Sequence, residues 1–369
     1  MSKPVILHVS AAYTWRGGEQ QLAYLAGELK LMDVTQYVLC ISGSAVETYC
    51  IHAHIPYFVT DKRSSLDLFF AKKIASICKR NKIEIVHAHD TQAHTFSVLA
   101  NDIFGCKSAI VISQRTDSAI KNNFFFKYKY NYTDVKKIIC VSDKIRNIVE
   151  STIKEPSKVV TVHDGIDSDR FKHKRDQHIL HEEFGLESNI KLIANISVLA
   201  SHKDHFTFID TASIICRKRN DVCFFIIGDG PSYEAIKDRI KKSGFASRII
   251  MTGFRTDIPD IFPELDVFLL TSESEGLGTS ILDAFACRVP VVATNTGGIP
   301  EIVKHESTGL LSNVKDSVSL ALQVEKLLND DNLSNQLTSQ AAIELSNFTT
   351  LKTAEKTLAY YNELSSQKQ

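Results

Sequence analysis

The chain has 369 residues, 44% of them hydrophobic, with 43 Lys+Arg against 43 Asp+Glu. That length supports two domains, each with its own core, and a net charge of zero argues against nucleic acid as a partner. The eight cysteines form no C-x-x-C pair, the apolar start at 4–10 is too short for a signal peptide, and no run approaches ~18 apolar residues. The expectation is a cytoplasmic protein with reduced core thiols and at most peripheral contact with the inner face of a membrane.

Short apolar runs at 5–9, 37–41, 83–87, 109–112, 138–141 and 159–162 alternate with helical patterns, which predicts a mainly parallel sheet covered on both faces. A polar stretch around Lys172-His173-Lys174-Arg175-Asp176 breaks this rhythm. It restarts with strands predicted at 192–196, 222–227, 249–251, 267–270 and 289–293, then helical sequence to the end. The expected fold is α/β, with two doubly wound, Rossmann-like domains facing a cleft. Residues 1–170 form the first and 171–345 the second.

In such sheets ligands meet the loops beyond the carboxyl ends of the strands, so those loops carry the candidate chemistry. After the first strand, Gly17-Gly18 precede a helix start and let backbone approach a ligand; a plain tight turn would use the same glycines. Ile85-Val86-His87-Ala88-His89-Asp90 ends another strand with two histidines, which alternation points to one face, and an acid. This trio lacks a second cluster to complete a zinc site. Hydrogen bonding to a sugar or acceptor by one histidine is expected, with a structural role for the other. Arg115 follows the strand at 109–112 and suits an anionic acceptor.

In the second half, Lys203 follows a strand and offers a compact cation for phosphate. The loops Gly228-Asp229-Gly230-Pro231 and Gly253-Phe254-Arg255-Thr256-Asp257-Ile258 open on the same sheet edge. Arg255 and the backbone near Ile258 are candidates to face a nucleotide base, whereas Gly228 to Gly230 read nearly as well as a simple turn. The most informative stretch is Ser272-Glu273-Ser274-Glu275-Gly276-Leu277-Gly278-Thr279 with Asp283 beyond it, where a strand ends in an acidic, glycine-bearing turn that feeds a helix N-terminus. Unpaired N–H groups and the helix dipole favour an anion there by up to ~2 kcal/mol. Gly-x-Ser-x-Gly and P-loop signatures are absent. Lys121 to Tyr130 interleaves cations with aromatics, a composition suited to an anionic lipid surface or to an ordinary amphipathic helix.

Together these motifs resemble the retaining GT-B glycosyltransferases of family four, the bacterial group 1 transferases, over nearly the whole length. The resemblance rests on Gly17-Gly18, His87-Ala88-His89-Asp90, Cys140-Val141-Ser142, Val162-His163-Asp164-Gly165-Ile166-Asp167, Gly228-Asp229-Gly230-Pro231, the Gly253 to Ile258 loop, the Glu275 to Asp283 segment and Gly297-Gly298-Ile299-Pro300-Glu301. Two positions depart from the family pattern: Asp283 stands where a second Glu is common, and Val198 where an Arg usually precedes the phosphate-binding Lys. Both read as variation within the family.

The resemblance implies that His89 and Glu275 are catalytic, with Glu275 on the donor sugar and Asp283 on the nucleotide ribose. Lys203 and the backbone of Gly276, Leu277, Gly278 and Thr279 receive the diphosphate, with Gly17, Gly18, Arg255 and Ile258 completing the donor site. His87, Asp90 and Arg115 are expected at the acceptor. The resemblance also implies that 346–369 form a helix that crosses back to the first domain. Retaining transfer then needs no protein nucleophile and no metal, and no cofactor beyond the nucleotide-diphosphate sugar. Closure about the linker is expected to align a UDP-linked donor with a saccharide or glycolipid acceptor in lipopolysaccharide or surface-polysaccharide synthesis. A nucleotide-sugar epimerase and a noncatalytic sugar-nucleotide-binding protein stay open as alternatives.

Overall fold

The computed structural model describes residues 3–116, 124–171 and 178–366. Lys121 to Asn123 of the basic aromatic segment and the polar linker at 172–176 lie outside them. The chain forms two compact units, Met1–Gly165 with Thr349–Gln369, and Ile166–Phe348; the boundaries expected from sequence were 170/171 and 345/346.

The first unit holds β1 (Ile6–Val9), β2 (Gln36–Ile41), β3 (Tyr57–Thr60), β4 (Ile85–Ala88), β5 (Ala109–Gln114), β6 (Val135–Cys140) and β7 (Val159–Thr161). They form one parallel sheet in the order β3-β2-β1-β4-β5-β6-β7. Alternation along the strands divides its core. Leu7, Val9, Val86 and Ala88 pack with Phe70, Ile74 and Phe96 from the helices Leu68–Asn81 and Thr91–Phe104. Ile6 and Ile85 face the other side, with Leu25 and Leu29 of Gly17–Leu31 and Ala354, Tyr361 and Leu364 of the final helix, Thr350–Ser366. That helix is tied down by Thr353 Oγ1 donating to His163 O at 2.8 Å and Ser365 Oγ donating to Glu84 Oε2 at 2.7 Å.

The second unit holds β8 (Lys191–Ile196), β9 (Val222–Ile227), β10 (Ile249–Gly253), β11 (Val267–Leu270), β12 (Val291–Thr294) and β13 (Leu310–Ser312), parallel throughout in the order β10-β9-β8-β11-β12-β13. Ile193, Phe224, Ile226, Leu269 and Val292 pack beneath the helices His205–Cys216 and Ser317–Asn329. All eight cysteines are free, and only Cys106 is not fully buried.

In each sheet the strand order reverses direction at one place, between β1 and β4 in the first unit and between β8 and β11 in the second. Crevices open at such switch points. The loop carrying Gly17-Gly18 and the one carrying His89-Asp90 flank the first; the loop carrying Lys203 and the one carrying Glu275 flank the second.

β3 and β13, which the sequence reading did not anticipate, are a four-residue and a three-residue strand at sheet edges. No helix among the described residues is long and apolar enough to cross a membrane.

Candidate active site

In the second unit the turn after β11 is held from two sides. Glu273 N–H donates to His202 O at 2.8 Å, and Gly298 N–H donates to Glu275 O at 3.0 Å. Thr271 Oγ1 donates to Asp204 O at 2.9 Å and Thr294 Oγ1 to Ser272 O at 2.6 Å. The loops after β8, β11 and β12 are thereby laced together. Gly297 shows why this needs glycine: its φ is +56°, and a Cβ there would stand 1.9 Å from Glu275 O.

Within this frame Lys203 Nζ meets Glu275 Oε2 at 2.5 Å, both side chains largely buried, and Ser272 Oγ donates to the same oxygen at 3.0 Å. Gly278, at φ +90°, caps the helix Thr279–Ala286, and Ile281 N–H already donates to its carbonyl. The side chain of Leu277 is buried in the core, so only its backbone can serve a ligand. Asp283 lies one helical turn beyond Thr279, partly exposed. Desolvation pushes its carboxyl up to about 7, against the opposing field of Arg170.

Arg255 departs from the expectation of a base contact. Its Nε and Nη2 grip Asp257 at 2.9 and 2.6 Å, and its Nη1 reaches Glu183 at 2.6 Å. These hydrogen bonds hold the guanidinium well above its ordinary pKa and spend it on fixing the loop that leads into the short helix Ile258–Ile261. The Gly228 to Gly230 loop is likewise structural. Cβ atoms there would stand 2.0 Å from Ser197 O and 2.6 Å from Leu199 O, so these glycines let two loops touch.

In the first unit Gly17 and Gly18 open the helix Gly17–Leu31 with nothing within 4 Å of a notional Cβ, and neither has a positive φ. Space above the helix start, rather than backbone strain, is what they provide. Asp90 is an N-cap: its Oδ1 accepts from Gln92 and Ala93 N–H at 2.9 and 2.8 Å, and its Oδ2 accepts from Ala11 N–H at 2.6 Å. Both its oxygens are thus spent on the β1 and β4 loops, which does not fit the acceptor contact expected of it.

His87 is similarly spent. Its Nδ1 bonds the hydroxyl of Tyr361 and its Nε2 that of Ser113 at 2.9 Å, a structural tie to the final helix in place of the acceptor role expected. His89 is different. Its Nε2 meets His8 Nδ1 at 2.9 Å, while its buried Nδ1 has no hydrogen-bond partner. His8, His87 and His89 hold ligand atoms within 4.8 Å of one another, but the contacts just described already occupy four of the six ring nitrogens. Burial keeps all three neutral, His8 down to about 4 and the other two well below the ordinary histidine range. The sequence reading missed His8, whose place beside His87 follows only from the β1–β4 register. Arg115 Nε pairs with Asp164 Oδ2 at 3.3 Å, and its Nη1 is buried with no hydrogen-bond partner among the described residues.

Comparison with known proteins identifies the fold and the family. The family model for group 1 glycosyl transferases matches residues 176–343, and that for glycosyltransferase family 4 matches residues 15–170. In sequence the chain is 28% identical over 303 residues to N-acetyl-alpha-D-glucosaminyl L-malate synthase of Bacillus anthracis, covering 80% of this chain and 76% of that protein. It is 24% identical over 318 residues to UDP-Gal:alpha-D-GlcNAc-diphosphoundecaprenol alpha-1,3-galactosyltransferase of Escherichia coli, covering 83% and 80%. Among solved structures, Anabaena HepE in complex with UDP and glucose superposes with a TM-score of 0.86 at 19% identity, covering 97% of this chain and 99% of that one. A glycosyltransferase from Rickettsia africae superposes with a TM-score of 0.85 at 23% identity, covering 99% of both.

Fold and matches define a glycosyltransferase of GT-B architecture, the class that draws on nucleotide-sugar donors. Within that class, the chain belongs to the group 1 glycosyltransferases of family four.

Proposed function

We propose that this enzyme is a retaining transferase that moves a hexose or N-acetylhexosamine from a UDP-linked donor to a saccharide or glycolipid acceptor in bacterial lipopolysaccharide or surface-polysaccharide synthesis. The observation that carries the reading is the Lys203–Glu275 pair at the β8/β11 switch point, set before the Gly278-capped helix. It brings a cation and a helix N-terminus together for a departing diphosphate, with a carboxylate for sugar hydroxyls. The names of relatives that transfer N-acetylglucosaminyl or galactosyl groups, and of a structural neighbour holding UDP and glucose, support the donor class.

In this reading Lys203 and the Gly276 to Thr279 backbone stabilise charge that develops on the leaving phosphate, where a well-placed donor lowers the barrier by ~2.7–4 kcal/mol. Glu275 orients the sugar, and ionised Asp283 accepts from the ribose diol. His89 meets the donor sugar and Arg115 an anionic acceptor group. The leaving phosphate itself takes the acceptor's proton, so neither a protein nucleophile nor a metal is required.

The test is a panel of UDP-glucose, UDP-galactose, UDP-N-acetylglucosamine and GDP-mannose, with and without lipid-linked and core-oligosaccharide acceptors, in EDTA. Product anomers are read by proton NMR. Acceptor-dependent transfer with the donor's anomeric configuration kept is expected. An inverted product, loss of activity in EDTA, or donor conversion without acceptor overturns the reading. Membrane-face action is proposed from exposed Phe124, Phe125 and Tyr128 beside Lys127. Flotation with anionic vesicles checks it, and failure to float overturns it.

A further inference from the structure

The contact between His8 Nδ1 and His89 Nε2 at 2.9 Å joins two buried neutral rings and holds one proton, whose side decides what His89 offers a ligand. The answer comes from Gln36. Its Nε2 donates to Ala26 O at 2.7 Å, which fixes the orientation of the amide and turns Oε1 the other way. Gln36 is the β1 register partner of Ile6, two residues from His8, and lies beside His8 as an interacting neighbour. His8 Nε2 and Gln36 Oε1 are both buried, and among the described residues neither meets hydrogen-bond geometry with any partner.

Two such atoms suit one another only if the nitrogen carries the hydrogen. With the proton on the other ring nitrogen, His8 would set a lone pair against a carbonyl oxygen, and one unsatisfied buried polar group is enough to bias the tautomers by about tenfold. With Nε2 protonated, neutral His8 has a bare Nδ1. The proton in the shared bond then belongs to His89 Nε2.

We propose that Gln36 and His8 form a buried relay that fixes His89 as its Nε2–H tautomer and leaves its Nδ1 lone pair as an acceptor for a sugar hydroxyl. Gln36 and His8 are positioning residues. The assignment of the ligand rests on the reading that His89 meets the donor sugar, whereas the tautomer itself is a property of the free enzyme. His89 therefore selects donors that present an O–H at this point, and a donor with an oxygen lacking hydrogen there gains nothing from it.

The experiment is two-bond proton–nitrogen NMR on full-length enzyme labelled with nitrogen-15 histidine, with H89N identifying the His89 signals. The expected spectrum of the ligand-free protein shows His89 protonated on Nε2 and bare on Nδ1. H8F removes the acceptor, so His89 should populate both tautomers and the donor KM should rise about three- to tenfold, the worth of one hydrogen bond. H8N places an amide oxygen near the former Nδ1 and should restore both the single tautomer and the KM. A wild-type His89 protonated on Nδ1, or an H8F enzyme whose His89 keeps its single tautomer, overturns the relay. An unchanged donor KM in H89F, which carries no acceptor at the Nδ1 position, overturns the sugar contact instead, and the two failures are distinguishable because the tautomer is read without donor.

Discussion

Replacing Asp283 by Asn should make the protein more stable and a poorer binder of nucleotide, and the size of both effects follows from one carboxyl group. Among the described residues no hydrogen bond or ion pair reaches its side chain; the field of Arg170 opposes the desolvation that raises its pKa to about 7, from an ordinary 3.8. At ~1.36 kcal/mol per pKa unit, holding this group ionised in the folded state costs at most ~4 kcal/mol. The side chain is partly exposed, and solvent screening brings the expected cost to about 1–3 kcal/mol.

The sign follows from linkage. The folded state binds the proton more tightly than the unfolded chain, so the wild type loses stability as pH rises from about 4 to 7 and stays at the lower level above that. Asn mimics the protonated form. D283N should therefore melt about 2–10 °C above wild type at pH 8, and the gap should all but close at about pH 3.5, below the unfolded pKa. Over the same range UDP affinity of the wild type should fall as pH drops through 7, while that of D283N should be flat and about tenfold or more weaker at pH 8. Melting curves and calorimetric UDP titrations at several pH values test both parts. A D283N protein that melts below wild type at pH 8, or a pH-independent difference, refutes the argument that this carboxyl is kept unpaired for a ligand.

Three further changes probe the frame around it. K203M should cost about 10²–10³-fold in turnover, as expected for one preorganised donor at a developing anion, and E275Q should suppress transfer with the melting temperature nearly kept; near-normal turnover in either removes that residue from its role. G297A meets both a left-handed φ and the Glu275 carbonyl, so a loss of about 2–5 kcal/mol in urea unfolding is expected, along with loss of activity; a wild-type unfolding curve refutes the cradle. Y361F leaves buried His87 Nδ1 without its partner, and urea unfolding should register about 1–3 kcal/mol; no change would show that the final helix is held by packing alone.

Apolar runs and their alternation were enough to read two parallel α/β units, because buried parallel strands are continuous hydrophobic segments wherever they occur, while the return of the final helix came from the resemblance to the family. β3 and β13 escaped because their apolar stretches, Tyr57-Phe58-Val59 and Leu310-Leu311, are too short to stand out from the surrounding sequence. The loops of interest were legible for a topological reason: strand order places the ends of β1, β4, β8 and β11 at the two switch points whatever side chains they bear.

What local sequence does not contain is how each polar group is already spent, because the partners come from other elements. Asp90 is committed to β1 through Ala11, His87 to the final helix through Tyr361, and Arg255 to Glu183 seventy-two positions away. Each looked like a ligand contact and each holds the scaffold. The same bookkeeping run backwards is informative, since buried polar groups in folded proteins are satisfied unless something else is to satisfy them. Among the site residues expected from sequence, Asp283, His89 through Nδ1 and Arg115 through Nη1 retain unspent capacity, and these are an acceptor for a diol, an acceptor for a single hydroxyl and a donor for an anion. The proposed function assigns these, each within its own unit, to a nucleotide sugar and a charged acceptor. In the proposed reading, Lys203 and Glu275 hold one another in place until a diphosphate and a sugar offer better partners.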